Sequence, residues 1–293
     1  MAAVSLKEKI AQFTGEEITW CPGCGDFAVL RAMQTAAVNL GIQPHEYVCV
    51  SGIGCSGKIS QFMATYGFHG VHGRTLPVAT AVKLANRDLL VVAAGGDGDG
   101  YGIGIGHLMH AIRRNIDITY VVMDNHIYGL TTGQASPTSD PGHVTKTTPY
   151  GAAENPIRPL ATAVAAGCGF VAQGFSGDVK QLTEIMEQAY RHRGFALVNV
   201  LSPCVTFNKR NTYEFYRENL VDLDSIAGYD RHDPLGALAT LMEHDALVTG
   251  VVYENKEMKP YEEVLPFFPQ EPLAELREGL DRERFQKLLA RHY

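Results

Sequence analysis

A glycine-rich acidic segment, Gly-Gly-Asp-Gly-Asp-Gly at residues 95–100, directly follows the apolar run at residues 89–94. An apolar run of this length that ends in glycines is typical of a buried strand that stops at a turn. Ligands in open α/β sheets bind at the carboxyl ends of such strands. Glycines let backbone N–H groups approach an anion closely, and an aspartate can hold a hard cation beside it. The segment therefore predicts a turn that binds an anion together with a cation.

A second strand end follows after a single predicted helix. Residues 118–123 form another apolar, β-branched run, and Asp124 and Asn125 come directly after it. Because the carboxyl ends of parallel strands meet at one edge of a sheet, we expect the side chains of Asp97 and Asn125 to converge on one ion. The backbone carbonyl of Ile127 is the natural further ligand. Gly-Asp-Gly alone would be an ordinary turn, but the pair of strand ends predicts a magnesium ion that holds a diphosphate.

A dinucleotide-binding fold is the nearest alternative for this segment. Its fingerprint requires Gly-x-Gly-x-x-Gly after the strand, and no glycine between Gly95 and Gly106 starts that spacing. An aspartate inside the turn would also repel a pyrophosphate unless a cation lay between them. The spacing therefore disfavours a dinucleotide site.

Strands and helices alternate along the first two hundred residues, which predicts an α/β fold with a mostly parallel sheet and helices on both faces. The predicted strands are residues 47–51, 89–94, 118–123, 170–173 and 195–201. The predicted helices are residues 26–40, 56–66, 75–86, 103–115, 161–168 and 179–191. A long polar segment at residues 131–159 is typical of a functional loop. We expect one domain over residues 1–210 and a C-terminal extension over residues 211–293, ending in a charged helix at 273–291, that packs on the domain or on a partner.

Composition excludes several other classes of protein. The chain has 293 residues, a net charge of −7 and 45% hydrophobic residues, as in a globular protein with a substantial core. The negative charge argues against a nucleic-acid partner. No apolar run approaches the length of a membrane helix, and the N-terminal residues lack the apolar region of a signal peptide. We therefore expect a cytoplasmic protein that contacts neither nucleic acid nor membrane.

Four of the six cysteines lie among Gly, Pro and Ser, where turns are expected. Cys21 and Cys24 form a Cys-x-x-Cys turn, while Cys55 and Cys204 each follow a predicted strand. Cys49 and Cys168 lie in apolar surroundings and are better interpreted as core residues. Four thiolates suit a structural zinc ion or an iron–sulfur cluster. A structural zinc site more often pairs two Cys-x-x-Cys units, so the spacing somewhat favours a cluster.

Taken together, these motifs resemble those of the β subunits of 2-oxoacid:ferredoxin oxidoreductases. The resemblance rests on the ordered set Trp-Cys-Pro-Gly-Cys-Gly at residues 20–25, Gly-Ile-Gly-Cys-Ser at 52–56, His-Gly-Arg at 72–74, Gly-Asp-Gly-Asp-Gly at 96–100 and residues 125–138. It covers roughly the first two hundred residues, through Cys204. It implies a thiamine-diphosphate-binding fold, thiamine diphosphate with Mg²⁺, and one [4Fe-4S] cluster. It also implies oxidative decarboxylation of a 2-oxoacid with coenzyme A to give acyl-CoA and CO₂, with electrons passing to ferredoxin, or the reverse carboxylation.

The resemblance assigns roles to particular residues. The implied cluster ligands are Cys21, Cys24, Cys55 and Cys204, and the implied magnesium ligands are Asp97, Asn125 and Ile127. The implied cofactor-binding residues are Ile53, Gly54, Cys55, Ser56, His72, Gly96, Asp97, Gly98, Asp99, Asn125, Ile127, Gly129, Leu130 and Thr131. This chain has Thr132 where many relatives have Lys, which removes a cation at that position but leaves the cofactor site intact.

Substrate choice is predicted from fewer residues. Lys58 closely follows Cys55, and its ammonium is suited to receive a substrate carboxylate; a solvated lysine at the start of a helix is the alternative that the sequence leaves open. Lys58 and His72 are the predicted catalytic residues. Residues 108–115, 130–131 and 136–139 are similar to those of enzymes that act on 2-oxoglutarate rather than pyruvate. The resemblance also implies that a separate α subunit supplies the glutamate that activates the cofactor, within an αβ or (αβ)₂ assembly.

Two other classes of function stay open from the sequence. A non-oxidative thiamine-dependent decarboxylase or synthase would use the cysteines for structural zinc. A non-catalytic electron-transfer or scaffold subunit would keep the cluster and lose the cofactor, although the intact pair Asp97 and Asn125 argues against it.

Overall fold

A mostly parallel sheet organises the fold in the computed structural model, which describes residues 5–265, 272–275 and 282–291. Eight strands of this part of the chain form the sheet in the order β2-β1-β3-β4-β8-β7-β10-β9, and β5 pairs with β6 in a small hairpin. The strands are β1 Tyr47–Ser51, β2 Tyr66–His69, β3 Leu90–Gly96, β4 Thr119–Asp124, β5 Ile127–Tyr128, β6 Gln134–Ala135, β7 Phe170–Phe175, β8 Ala196–Leu201, β9 Val221–Asp222 and β10 Val248–Glu254.

Helices connect the strands. The described helices are α1 Leu6–Ala11, α2 Asp26–Asn39, α3 Ile59–Phe62, α4 Thr75–Ala85, α5 Ile105–Arg114, α6 Pro159–Ala165, α7 Val179–Arg191, α8 Tyr213–Asn219, α9 Pro234–Glu243, α10 Tyr261–Val264 and α11 Arg282–Leu289. Three-residue 3₁₀ turns, including Ser56–Lys58, and a π-helical turn at Gly98–Ile103 complete the set. Within the described ranges, no helix has the length and apolar character needed to cross a bilayer.

Alternating side chains of the central strand β4 enter two separate cores. Val121 and Met123 belong to the core beneath α2 and α7, whereas Tyr120 and Val122 belong to the core on the opposite face, beneath α4 and α5. A parallel strand covered on both faces is expected to be apolar, and β4 is apolar from Tyr120 to Met123. The predicted fold class, a mostly parallel sheet with helices on both faces, is confirmed.

The prediction of a helix over residues 56–66 is wrong in extent. The chain forms a 3₁₀ turn, then the single turn α3, and then the edge strand β2. Backbone pairing with the N-terminal segment ends the helix, because Gly15 donates to the Phe62 carbonyl at 2.9 Å and Ala64 donates to the Phe13 carbonyl at 3.0 Å. Such long-range backbone pairing overrides a local helical pattern.

The C-terminal segment contributes to the same sheet. β10 pairs antiparallel with β7, and β9 pairs in parallel with β10. Val248 and Val252 of β10 lie in the same core as Leu241 of α9. The predicted helix at 273–291 is described only in part: it contains a 3₁₀ turn at Leu273–Glu275 and α11, while residues 276–281 and 292–293 lie outside the described residues.

Glu262 in α10 is a buried carboxyl group beside an ion pair. Lys83 Nζ lies 2.9 Å from Asp117 Oδ2, and the Glu262 side chain packs nearby with only 4% of the residue exposed. Burial raises the pKa of Glu262, and the neighbouring negative charge of Asp117 raises it further, while Lys83 lowers it. The folded state therefore disfavours the ionised form of this carboxyl group.

We expect Glu262→Gln to stabilise the protein at neutral pH by about 1 kcal/mol, because it removes a buried charge. A raised folded-state pKa means that the destabilising effect of Glu262 develops as pH rises from the unfolded-state pKa to the folded-state pKa. The gain should therefore be greatest above neutrality and disappear near pH 4. Thermal unfolding at several pH values measures it, with Glu263→Gln, which removes an exposed partner of Arg193, as the control. A pH-independent gain would contradict this account.

Candidate functional site

The predicted ion ligands lie at the ends of neighbouring strands. β3 ends at Gly96 and β4 ends at Asp124, and these strands pair in parallel with Gly96 opposite Met123. Asp97 and Asn125 therefore leave the sheet side by side. Both line one cavity of about 220 Å³ at the carboxyl edge of the sheet.

The same cavity collects all of the residues proposed to bind the cofactor. Its lining residues are Ile53, Gly54, Cys55, Ser56, His72, Gly96, Asp97, Gly98, Asp99, Asn125, Ile127, Tyr128, Gly129, Leu130 and Thr131. Tyr128 is the one lining residue that the sequence did not single out, although it stands between two that it did. Lys58 is not among the lining residues: its Nζ donates to Thr19 Oγ1 at 3.1 Å, beside the cavity.

Asp97 is a buried carboxylate with a second carboxylate close by. Only 2% of the residue is exposed, and Thr138 Oγ1 lies 2.8 Å from both Asp97 Oδ2 and Asp124 Oδ1. Burial raises the pKa of Asp97 to about 7, and the charge of Asp124 adds to this effect. Two carboxylates held together out of water favour a nearby positive charge. The side-chain oxygens of Asp97 and Asn125 and the carbonyl of Ile127 are donors of the kind that Mg²⁺ prefers, so this set fits magnesium.

Asp99 ties three loops together around the cavity. Its Oδ1 accepts the backbone N–H of Ile53 at 3.0 Å and of Gly73 at 2.8 Å, and it lies 2.7 Å from His72 Nδ1. Thr75 Oγ1 donates to its other oxygen at 3.2 Å. A buried carboxylate with several hydrogen-bond donors is held rigidly, because movement away from any donor loses a hydrogen bond that water cannot replace. Asp99 thus holds His72 against the cavity.

Close backbone approaches explain the glycines of the motif. A Cβ at Gly98 would lie 2.1 Å from the Tyr128 ring, and one at Gly100 would lie 2.3 Å from the Tyr120 hydroxyl. A Cβ at Gly52 would lie 2.0 Å from Asp99 Oδ2. Each glycine lets a side chain occupy the space beside the backbone, so the cavity wall depends on their missing Cβ atoms.

The four turn cysteines gather next to this cavity. A Cβ placed at Gly129 would lie 3.7 Å from the Sγ atoms of both Cys55 and Cys204, and 3.9 Å from Nδ2 of Asn125. Burial raises the pKa of Cys55 to about 11, and the negative charges of Asp26, Cys204 and then Cys21 add to it. The thiols are therefore close enough to interact electrostatically.

The Cys21–Cys24 turn is fixed by its backbone. Cys24 N donates to the Cys21 carbonyl at 3.0 Å, and Gly23 takes a φ of +83° that favours glycine. Burial raises the pKa of the Cys24 thiol, and the charges of Asp26, Cys204 and Cys55 raise it further. Burial and the neighbouring charges disfavour the thiolate forms of these cysteines. A bound iron or zinc ion would supply the positive charge that stabilises thiolates.

Trp20 covers the cysteine group on the side of the core. Its Nε1 donates to the Cys55 carbonyl at 2.7 Å, and its ring packs edge-on against Phe62 and Phe27, with centroids 4.8 and 5.5 Å away. The ring is nearly buried and covers the Cys55 carbonyl on this side.

Three buried polar residues that the sequence did not select support the site. Thr138 contacts Asp97, and Asn208 donates to the Asn125 carbonyl at 3.0 Å. Asp26 accepts a hydrogen bond from Ser202 at 2.7 Å beside the cysteines. Asn208 follows Cys204 by four residues, and Thr138 lies in the long polar loop, but no local pattern indicates that either reaches the strand ends.

Comparison with known proteins defines the class of this site. Residues 52–200 match the family model described as the thiamine pyrophosphate enzyme C-terminal binding domain. Residues 204–270 match the model of the C-terminal part of the beta subunit of pyruvate ferredoxin oxidoreductase. The fold is therefore that of the C-terminal domain of thiamine-pyrophosphate enzymes.

Full-length comparisons give the particular family. The chain is 42% identical to a 2-oxoacid:ferredoxin oxidoreductase subunit beta from Sulfolobus sp over 87% of each chain, and 41% identical to a 2-oxoglutarate synthase subunit from Archaeoglobus fulgidus over 77% of this chain and 88% of that one. A solved 2-oxoglutarate:ferredoxin oxidoreductase from Magnetococcus marinus, with 2-oxoglutarate, coenzyme A and succinyl-CoA bound, matches with a TM-score of 0.86 and 40% identity over 96% of this chain and 95% of that chain. The chain belongs to the β subunits of 2-oxoacid:ferredoxin oxidoreductases.

We expect Gly98→Ala to weaken binding of thiamine diphosphate with Mg²⁺ by at least about tenfold, because the added methyl displaces the Tyr128 ring into the cavity. Gly106→Ala is the matched control, since a Cβ there meets nothing within 4 Å, and should leave binding unchanged. Titration of the cofactor at saturating Mg²⁺ measures both. Equal affinity in the two variants would show that the approach of Tyr128 to Gly98 does not shape the site.

Proposed function

We propose that this chain binds thiamine diphosphate, Mg²⁺ and one [4Fe-4S] cluster, and that it catalyses CoA-dependent oxidative decarboxylation of 2-oxoglutarate. One observation carries the proposal: the cavity for the cofactor meets the cysteine group at Gly129, whose Cβ position is 3.7 Å from two thiols and 3.9 Å from the Asn125 amide. An electron donor and an electron acceptor would thus share one edge of the sheet.

Asp97, Asn125 and the carbonyl of Ile127 are the proposed magnesium ligands. The ion would hold the diphosphate beside the glycine-rich turn at residues 96–99, which lines the cavity. Thiamine diphosphate, when bound, supplies the electron sink for cleaving the bond to the departing carboxylate. His72, held by Asp99, would make a further cofactor contact.

Cys21, Cys24, Cys55 and Cys204 are the proposed cluster ligands. Among the described residues, no three His, Cys, Asp or Glu side chains are grouped to bind a single metal ion. The four cysteines comprise one Cys-x-x-Cys unit and two isolated residues, whereas a structural zinc site more often pairs two such units. This spacing supports the cluster over the zinc alternative, and the thiolates of a [4Fe-4S] cluster bind different iron atoms.

The overall reaction balances with two one-electron acceptors. A 2-oxoacid anion, coenzyme A and two oxidised ferredoxins give acyl-CoA, CO₂, two reduced ferredoxins and one proton, and the reverse direction is reductive carboxylation. The relatives named for 2-oxoglutarate, and the Magnetococcus marinus structure with 2-oxoglutarate and coenzyme A bound, support 2-oxoglutarate as the substrate.

The β-subunit family implies an α subunit, in an αβ or (αβ)₂ assembly, that contributes the activating glutamate.

We propose that Lys58 binds the substrate carboxylate, although it lies beside the cavity rather than in its lining. Its charge is close enough to Cys55 to lower that thiol's pKa against the larger effect of burial. To reach a substrate, the ammonium must exchange its hydrogen bond with Thr19 for the carboxylate. This is a specific and testable requirement.

Activity of the assembled enzyme tests the proposed function. Purified anaerobically with its partner subunits, it should contain iron and acid-labile sulfide and reduce ferredoxin faster with 2-oxoglutarate than with pyruvate. Cys204→Ser should abolish ferredoxin reduction, whereas Cys168→Ser, at a core cysteine, should preserve it. Zinc without iron would support the non-oxidative alternative, and a preference for pyruvate would overturn the choice of substrate.

For Lys58→Met we expect the KM for 2-oxoglutarate to rise by about tenfold or more with a smaller change in kcat, because a charge-assisted contact to the substrate is lost. The control is Lys180→Met, since the Lys180 side chain is 89% exposed on α7. Steady-state kinetics at saturating coenzyme A distinguish the two. An unchanged KM in Lys58→Met would remove Lys58 from substrate recognition.

A further inference from the structure

Two loops of different function leave neighbouring strands at the site. The loop after β4 carries Asn125, and the loop after β8 carries Cys204. β4 and β8 pair in parallel through Asp124 and Leu201, and Ser202 N continues the pairing to the Asp124 carbonyl at 2.8 Å. Beyond that point the strands no longer hold the loops together, so other contacts must fix their separation.

Asn208 makes the contact between these loops. Its Nδ2 donates to the backbone carbonyl of Asn125 at 3.0 Å and to Asn211 Oδ1 at 2.8 Å. Its Oδ1 accepts the N–H groups of Arg210 at 2.9 Å and Asn211 at 3.1 Å. The residue is 1% exposed, so both donors and both acceptor sites of this amide are used within the protein.

The main chain of Asn208 is tied to the cysteine as well. Asn208 N donates to the Cys204 carbonyl at 3.1 Å, which closes one turn of chain between the two residues. A displacement of Cys204 is thereby transmitted to the amide that holds Asn125. The path from thiol to Asn125 consists of one backbone hydrogen bond, one side chain and one further hydrogen bond.

The carbonyl that Asn208 holds lies at a strained point of the chain. The next residue, His126, takes a φ of +56°, which is unfavourable for a residue other than glycine. Ile127, whose carbonyl is a proposed magnesium ligand, follows directly. A buried hydrogen bond at the Asn125 carbonyl fixes the peptide plane that precedes this strain, and with it the direction of the ligands on both sides.

We propose that Asn208 is a positioning residue that couples the cluster loop to the magnesium loop. This inference rests on the proposed function and goes beyond it, because Asn208 is not itself a proposed ligand of the magnesium ion or of the cluster. Its amide sets the separation of Cys204 and Asn125, and therefore the separation of the electron acceptor from the cofactor that delivers the electrons.

Asn208→Asp separates this role from a purely local one. Aspartate keeps the Oδ1 acceptor for Arg210 and Asn211 and replaces the Nδ2 donor with an oxygen that repels the Asn125 carbonyl. Asn115→Asp is the matched control: Asn115 is also buried, its Nδ2 donates to the carbonyls of Met258 and Lys259, and its Oδ1 accepts from Phe195. Its contacts lie away from the cavity. Asn208→Ser, which is uncharged, is the second variant.

The assembled enzyme is compared in three measurements, namely iron content, affinity for thiamine diphosphate at saturating Mg²⁺, and cluster reduction followed by freeze-quench electron paramagnetic resonance. For Asn208→Asp and Asn208→Ser we expect near-normal iron, an affinity weakened on the order of tenfold, and slower reduction by 2-oxoglutarate with coenzyme A. Reduction by dithionite should be unchanged, which a merely structural defect would not produce. Asn115→Asp should match the wild type in all three.

Wild-type affinity and wild-type substrate-driven reduction in Asn208→Asp and Asn208→Ser would overturn the proposal. Loss of iron with unchanged cofactor affinity would also overturn it, since Asn208 would then serve only its own loop. Equal defects in Asn115→Asp would assign the effect to general destabilisation and refute the proposed coupling of the two loops by Asn208. An iron-free wild-type enzyme would instead refute the proposed function itself, so the two failures are distinguishable.

Discussion

The parallel pairing of β3, β4 and β8 is the constraint on which the site depends. These three adjacent strands end at Gly96, Asp124 and Leu201, and the chain places Asp97, Asn125 and Cys204 shortly after those ends. Parallel register brings the three loops to one edge without any specific side-chain contact. A shift of register in β4 would move Asn125 away from Asp97 and also break the hydrogen bond from Asn208.

Electrostatics then adapts this edge to bind cations. Asp97 and Asp124 share one hydroxyl donor, Thr138, inside the protein, and burial raises the pKa of Asp97 to about 7. The Cys24 and Cys55 thiols are likewise held where burial disfavours the thiolate. Such groups are costly to leave as bare anions in a water-poor site. A positively charged partner would offset that cost.

Sequence reasoning found the parts of the site that follow strands. The ends of β3 and β4 were predictable because a buried parallel strand is apolar throughout and stops at glycine or a polar residue, and the ordered cysteine and glycine motifs carried the family resemblance. β2 and α3 were mispredicted, since backbone pairing between residues 13–16 and 61–64 is not visible in a local pattern. Thr138 and Asn208 were missed for a similar reason: their partners lie 41 and 83 residues away along the chain. Lys58 was predicted from its nearness to Cys55 in sequence, yet it lies outside the cavity lining, because the 3₁₀ turn at Ser56–Lys58 directs it toward Thr19.

The central claim is that the cofactor's metal ion and the electron acceptor occupy adjacent positions on this edge. Replacement of Mg²⁺ by paramagnetic Mn²⁺ in the anaerobic, dithionite-reduced enzyme tests it most directly, with the electron spin relaxation of the reduced cluster as the measured quantity. The account predicts much faster relaxation with thiamine diphosphate and Mn²⁺ than with thiamine diphosphate and Mg²⁺, and no such difference in Asp97→Ala. A fully assembled cluster whose relaxation is the same with either ion, although the cofactor is bound, would contradict it.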